Sequence, residues 1–221
     1  MYQGDYESTQ QHCYQAYLIS REIGDRNGEG IALSNLGILA LHKDDYPTAY
    51  QHLEQSLKIS RDIGDRFGEG MALTQLGNLA LDAGNIHQAE DCYQEALTIH
   101  EELNQSQYVP DDQAGLAAVS LAHGDLSLAQ QRLGPVLAYL AENPTLSGAW
   151  QPYRIFGVCF QVLRAADDAQ AWYILEQAHT LLQNQAATMD DDYQKTFLEN
   201  VTEHRYIVTT WQQYQAQATH L

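Results

Sequence analysis

Ile23–Gly37 reads IGDRNGEGIALSNLG and Ile63–Gly77 reads IGDRFGEGMALTQLG, so one fifteen-residue phrase returns after a step of forty. A period of roughly 20–50 residues marks a supersecondary unit that buries its apolar face only by stacking on neighbours. The step reaches beyond the phrase. Gly4-Asp5-Tyr6, Asp44-Asp45-Tyr46, Gly84-Asn85-Ile86 and Gly124-Asp125-Leu126 start at the same interval. A small or apolar set follows each. Thr9, Cys13, Ala16-Tyr17 and Ser20 come first, then Ala49, Leu53, Ser56-Leu57 and Ser60. Ala89, Tyr93, Ala96-Leu97 and His100 follow, then Ala129, Leu133, Val136-Leu137 and Leu140. Spacings of three and four put each set on one face of a helix.

The phrase itself opens a second kind of helix. Ala32-Leu33, Leu36-Gly37 and Ala40 share a face, as do Ala72-Leu73, Leu76-Gly77 and Ala80, and more loosely Ala114, Leu116-Ala117 and Ser120-Leu121. No run alternates as a strand does. The unit is helix, tight turn, helix, turn, and the fold class is all-α. Gly24 and Gly64 suit the left-handed residue that ends a helix, and Asp25 and Asp65 the cap that starts the next. Gly28, Gly30, Gly68 and Gly70 each cost about 1 kcal/mol of helix propensity. Close contact with the preceding unit's second helix is expected to offset this. Asp25, Arg26 and Glu29, with their copies, read as exposed ion pairs.

The Leu-Gly pair, the Gly-Asp-Tyr turn, Ala49 or Ala89, and Ala96-Leu97 resemble the tetratricopeptide repeat (TPR), in a long variant of about forty residues marked by Gly-Asp-Arg-x-Gly-Glu. The resemblance covers residues 4–142 and weakens to about residue 187. It implies a right-handed α-solenoid of TPR helix hairpins with a C-terminal capping helix. On that basis residues 1–24 are the second helix of a truncated first repeat and 25–142 are three TPR-type units. Residues 143–187 are a divergent TPR-like helix pair and 188–221 the C-terminal capping helices. The third unit departs from the pattern, with Asn104-Gln105-Ser106 for Gly-Asp-Arg and Ala117 for glycine. Phe197–Arg205 resembles the closing stretch of bacterial regulators that carry this variant, with Asn200 as an N-cap. Val201, Ile207-Val208 and Trp211 are then expected to cover the open end of the array. The resemblance implies a non-catalytic module that holds a protein or peptide, the sensor or scaffold part of a bacterial signalling or transcription regulator.

Charge narrows the partners. The 221 residues hold 11 Lys and Arg against 29 Asp and Glu, a formal −18. Such a chain repels nucleic-acid phosphates and anionic lipid surfaces, so neither nucleic acid nor membrane is expected as a partner. No apolar run approaches the roughly 18 residues of a membrane span, and Met1–Gln11 lacks the features of a secretory signal. Cys13, Cys92 and Cys159 form no CxxC pair and read as buried thiols of a cytoplasmic protein. The glycine-rich phrase has neither the preceding strand nor the Gly-Lys-Ser/Thr ending of a phosphate loop. No nucleophile elbow or His-Glu-x-x-His occurs, so no catalytic residue, cofactor or metal is expected.

In a stacked array the first helix of each unit lines the inner wall. Its exposed side is expected to present Ile31, Ser34, Asn35, Ile38, Leu41 and His42 in the first complete unit. Met71, Thr74, Gln75, Asn78, Leu81 and Asp82 follow, then Asp111, Ala114, Ala118 and Ala122. The ligand groove is drawn from Ile31, Ser34, Asn35, Ile38, His42, Met71, Thr74, Gln75, Asn78, Asp82 and Ala118. Apolar and amide side chains together suit a peptide backbone. The absence of Lys and Arg argues against a clamp for a C-terminal carboxylate. Three uses stay open here: a groove for a peptide or helix, plain packing and solvated surface, or a small-molecule site. His42 and Asp82 fall at matching places, with His123 near the next, and suit a water or ligand bridge. Asp190-Asp191-Asp192 reads as a solvated helix start. Tyr6, Cys13 and Tyr17, with Tyr14, are expected to lack a partner surface. The chain then belongs to a longer protein, or that face forms a homodimer.

Overall fold

A computed structural model describes residues 6–218, and among them are eleven α-helices and no strand. They run α1 Tyr6–Ile23, α2 Arg26–His42, α3 Tyr46–Ile63, α4 Arg66–Asp82, α5 Ile86–Glu102, α6 Val109–Ala122 and α7 Leu126–Glu142. Beyond a loop come α8 Pro152–Ala165, α9 Gln170–Ala186, α10 Asp191–Asn200 and α11 Thr202–Ala218. Gly4 and Asp5 of the first expected turn lie outside the described residues. Consecutive helices pack pairwise from α1 to α7, and α2, α4 and α6 touch one another along one side. That is the layering of an α-solenoid, with α1, α3, α5 and α7 as the other row. The small residues of the period sit at its centre: Ala49, Ala89 and Ala129 are wholly buried, beside Leu53, Tyr93 and Leu133.

The repeated phrase can be read letter by letter. Gly24 and Gly64 adopt φ of +74° and +72°, a left-handed turn that a side chain would strain. The Asp25 and Asp65 carboxylates accept the amide protons of Gly28 and Gly68, each at 3.0 Å. A Cβ on Gly28 or Gly68 would lie 2.4 or 2.3 Å from that capping carboxylate. Glycine is required there because the cap itself occupies the space, with Ser20 or Ser60 of the preceding helix alongside. Gly30 and Gly70 correct the expectation. Their contacts are Ile59, and His100 with Ile99, on the helix that follows rather than the one that precedes. Glu29 and Glu69 also differ from a surface reading. Both are buried, and Glu69 joins Arg66 to Arg61 across the helix junction. Burial alone would raise the Glu69 carboxyl, but the two guanidiniums outweigh it and hold it below the usual range.

The third unit keeps its turn by other means. Asn104 takes φ +55° in the glycine's place, and α6 starts late, with 14 residues against 17 in α2 and α4. The missing Gly77 equivalent is compensated nearby. Gly77 and Gly115 both face the Tyr93 ring, and a Cβ on either would come within 2.8 and 2.4 Å of it.

Beyond the loop, α8 and α9 form a hairpin in which Ala171, Leu175, Ala178 and Leu182 are buried. Phe197 and Ile207 join the same apolar core, which closes this end. Asn200 lies at the junction of two helices. It ends α10, and its carbonyl accepts a hydrogen bond from the Tyr6 hydroxyl at 3.1 Å. The α1 face also differs from expectation. Cys13 is buried with Leu36 and Leu39, and Tyr17 packs against them. The exposed apolar residues of α1 are Tyr14, Leu18, Ile19 and Ile23. No helix among the described residues is long and apolar enough to cross a membrane.

Candidate functional site

The inner wall is not one continuous groove. Residues 149–154 return across it and divide it. The Asp111 carboxylate, at the start of α6, accepts the backbone amide protons of Trp150 and Gln151 at 3.2 and 3.0 Å. The Gln151 side chain then reaches α4, where it donates to Gln75 Oε1 at 3.2 Å and accepts from Asn78 at 2.8 Å. Asn78 accepts from the buried Tyr93 hydroxyl at 2.7 Å. Burial pushes the Asp111 carboxyl up to about 7, against the two backbone hydrogen bonds that hold it down.

This crossing corrects the expected groove. Ile38, Thr74, Gln75 and Asn78 are buried rather than open. Gln75 and Asn78 lie beneath Gln151. Thr74 donates its one hydroxyl proton to Asp112 at 2.6 Å, with the Gly70 carbonyl 3.1 Å away, and Ile38 is turned into the helix stack. The other groove residues separate into two open spaces. Ile31, Ser34, Asn35 and Met71 line a cleft of about 340 Å³ between α2 and α4, walled on one side by Trp150. His42, Asp82 and Ala118, with Leu41, Leu81 and Ala122, line a cavity of about 590 Å³ at the other end of these helices, closed by α8 and α11. Asp111 and Ala114 are buried under α8.

The larger cavity carries charge that the wall pattern could not reveal. Arg154 enters from α8 and makes two bonds to Asp82, at 2.8 and 3.2 Å, and a longer contact to Glu203 at 3.6 Å. Burial would lower Arg154, but Tyr93, Asp82 and Glu203 outweigh it and keep the guanidinium charged. Burial lowers His42, which stacks on Tyr6 with ring centres 5.6 Å apart. His123 is elsewhere, 5.3 Å from the His87 ring. It does not join His42 and Asp82. The thiols are poor nucleophiles, since burial raises Cys92 to about 11 and Cys159 to about 12 and reaction needs the thiolate. What the wall presents is apolar surface, amides and fixed ion pairs.

Two family models, both described as tetratricopeptide repeat, match residues 1–62 and 70–111. The chain contains tetratricopeptide repeats. No curated protein matches it. Among solved structures, BtubC (BKLC) from P. vanneervenii superposes with a TM-score of 0.62 at 16% identity, over 96% of this chain and 87% of that one. A Podosopora anserina protein, described as a kinesin light chain with nearly identical TPR-like repeats, gives 0.56 at 17% identity, over 86% and 92%. At such identities the likeness is one of fold. TPR arrays generally mediate protein–protein interaction and are typically non-enzymatic scaffolds.

Arg154, Glu203 and Gln151 had no signal in the repeat, because they come from α8 and α11 and the loop before α8. The Trp150-Gln151-Pro152 stretch did offer one cue. Proline at the first turn of a helix fixes where α8 starts, and so where the preceding backbone amides point.

Proposed function

We propose that this TPR array is a non-catalytic protein- or peptide-binding module of the cytoplasm, the sensor or scaffold part of a larger bacterial signalling or transcription regulator. One observation carries the reading. The inner wall already holds a polypeptide segment, its own. Asp111 takes two successive backbone amides, and Gln75 with Asn78 takes a side-chain amide. A foreign segment finds the same kinds of group on either side, in the cleft and in the cavity. The formal charge of −18 favours partners that are neither nucleic acid nor membrane.

Photo-crosslinkers placed at Ile31 and Asp82 on the inner wall, and at Lys58 on the outer row, test this. A partner trapped from the inner positions and not from Lys58 supports the reading. Equal trapping at all three overturns it. Substitutions at Ile38 or Asn78 are unsuitable, since both are buried and report on folding.

Self-association is the second reading, and α1 favours it. Ile19 is 55% exposed, whereas Ile59 and Ile99 at the same place in the period are 5% and 1% exposed. Light scattering on the native chain and on Ile19→Glu decides. A dimer that Ile19→Glu converts to monomer supports this reading, and a native monomer at all concentrations removes it.

A further inference from the structure

The cleft between α2 and α4 has a counterpart one unit along, and the counterpart is full. Ser60 and Gly68 in the first stand where His100 and Tyr108 stand in the second, forty residues on. Between α4 and α6 the Tyr108 ring lies 5.3 Å from Phe67 and 5.5 Å from His100, centre to centre. His100 reaches the floor, where a Cβ on Gly70 would lie 2.8 Å from its Nε2. In the first interface the floor is bare of any such group. A Cβ on Gly30 would meet only Ile59, at 3.3 Å, and nothing from Ser60 within 4 Å. At the same step of forty, one interface encloses two rings and the other leaves about 340 Å³ open.

The walls of the open cleft are apolar and partly uncovered. Ile31 is 56% exposed, Trp150 41%, Ile63 41% and Phe67 38%, which gathers four of the large exposed apolar residues around one opening. Clefts of roughly 300 Å³ and above, apolar with a few polar groups, are the shape of binding sites. Ser34 and Asn35 supply the polar rim and Asp65 an adjoining negative charge.

We propose that this cleft receives an aromatic side chain of a partner polypeptide, carried on a segment with basic residues beside it. The aromatic anchor follows from the register, since the chain's own Tyr108 and His100 fill the equivalent space. The basic flanks follow from Asp65 at the cleft and the −18 of the chain. Opposite charge mainly speeds encounter and sets specificity, while the ring supplies buried area. The inference rests on the protein-binding reading above and narrows it to one end of the wall.

The test uses the full chain and three pentapeptides with blocked ends: Lys-Lys-Tyr-Lys-Lys, Lys-Lys-Leu-Lys-Lys and Glu-Glu-Tyr-Glu-Glu. NMR signals of the Ile31 and Met71 methyls and the Trp150 indole report on the cleft. The basic tyrosine peptide is expected to shift these three, with the leucine and acidic versions weaker by about ten-fold or more. Ile31→Glu, at an exposed position, and Ser34→Phe, which fills the cleft, should each abolish the shifts. Tyr108→Ala should open the second interface and add shifts near Phe67. The proposal is overturned if the leucine peptide binds equally, if no cleft signal moves, or if the shifts cluster instead around Arg154. Crosslinking at Asp82 that persists while the cleft stays silent would overturn the anchor and leave the protein-binding reading standing.

Discussion

Between α2 and α4 the repeat leaves a space. Between α4 and α6 the same geometry is packed with His100, Tyr108 and a buried acid. The step of forty is kept although α6 starts three residues late, and a few side chains make the difference. Ser60 becomes His100, Gly68 becomes Tyr108 and Ala72 becomes Asp112. Filling has a polar consequence. His100 Nδ1 sits 2.7 Å from Asp112 Oδ2 with both side chains inaccessible, and His100 Nε2 has no hydrogen-bond partner. Burial raises the Asp112 carboxyl, although His100 and Thr74 pull it down. The contrast teaches that a solenoid can tune an interface from receptive to sealed without altering its period. Sealing with polar groups makes that interface the more sensitive of the two.

The strongest way to break the contrast is Asp112→Ala. It leaves His100 and Thr74 without their shared partner in a dry site, and a loss of about 3 kcal/mol is expected in urea denaturation. Next is Gly115→Gln, which copies the amide found at Gln75 in the preceding unit. The new side chain meets the Tyr93 ring, and overpacking of this kind costs about 2 kcal/mol. Retained stability in either variant would show that the sealed interface can relax like the open one.

A pH experiment sharpens the boundary between the two. Asp111 ionises near 4 when unfolded and near 7 when buried in the fold. The native state therefore keeps a proton that the unfolded chain releases. Its contribution to stability is complete below about pH 4 and is lost as the pH rises to about 7. The stability of the native chain relative to Asp111→Asn should fall across that window and level off above it. A difference that stays flat from 4 to 7 would contradict the burial of this acid. The smallest effect is expected from Arg66→Ala. Its guanidinium is exposed where it pairs with Glu69 and with Glu102 of α5, so solvent screens the pairs and the urea midpoint should barely move. A clear loss would mean that these pairs help hold α4 against α5.

Much of this architecture was legible in the residues. Gly64 and Asp65 state a turn and a cap in any context, and Ala49, Ala89 and Ala129 mark the close approach by their spacing alone. These are local signals, and a period reports them faithfully. The site was less legible for a physical reason. Gln75 and Asn78 face the inner wall as the period implies, but what covers them comes from Gln151, more than seventy residues away in sequence. Nothing in a helical repeat encodes a loop that crosses back over it. Asp111 misled in the same way. Its spacing places it on the exposed side of the wall, and only the returning segment makes it structural. Glycine contacts were half legible. Gly28 and Gly68 could be read as tight against the preceding helix, and Ser20 and Ser60 do lie there, but their own cap shares that space.

The hydrogen bond from Tyr6 to Asn200 spans 194 residues, and the Arg154–Asp82 pair spans 72. An ordinary stack behaves like a spring whose coils feel only the next coil, so it frays from either tip. Here two bonds skip coils: Tyr6 of α1 reaches the end of α10, and Asp82 of α4 reaches α8. A disturbance at either place reaches helices that are not its neighbours in the stack, a coupling that a coil-to-coil spring lacks.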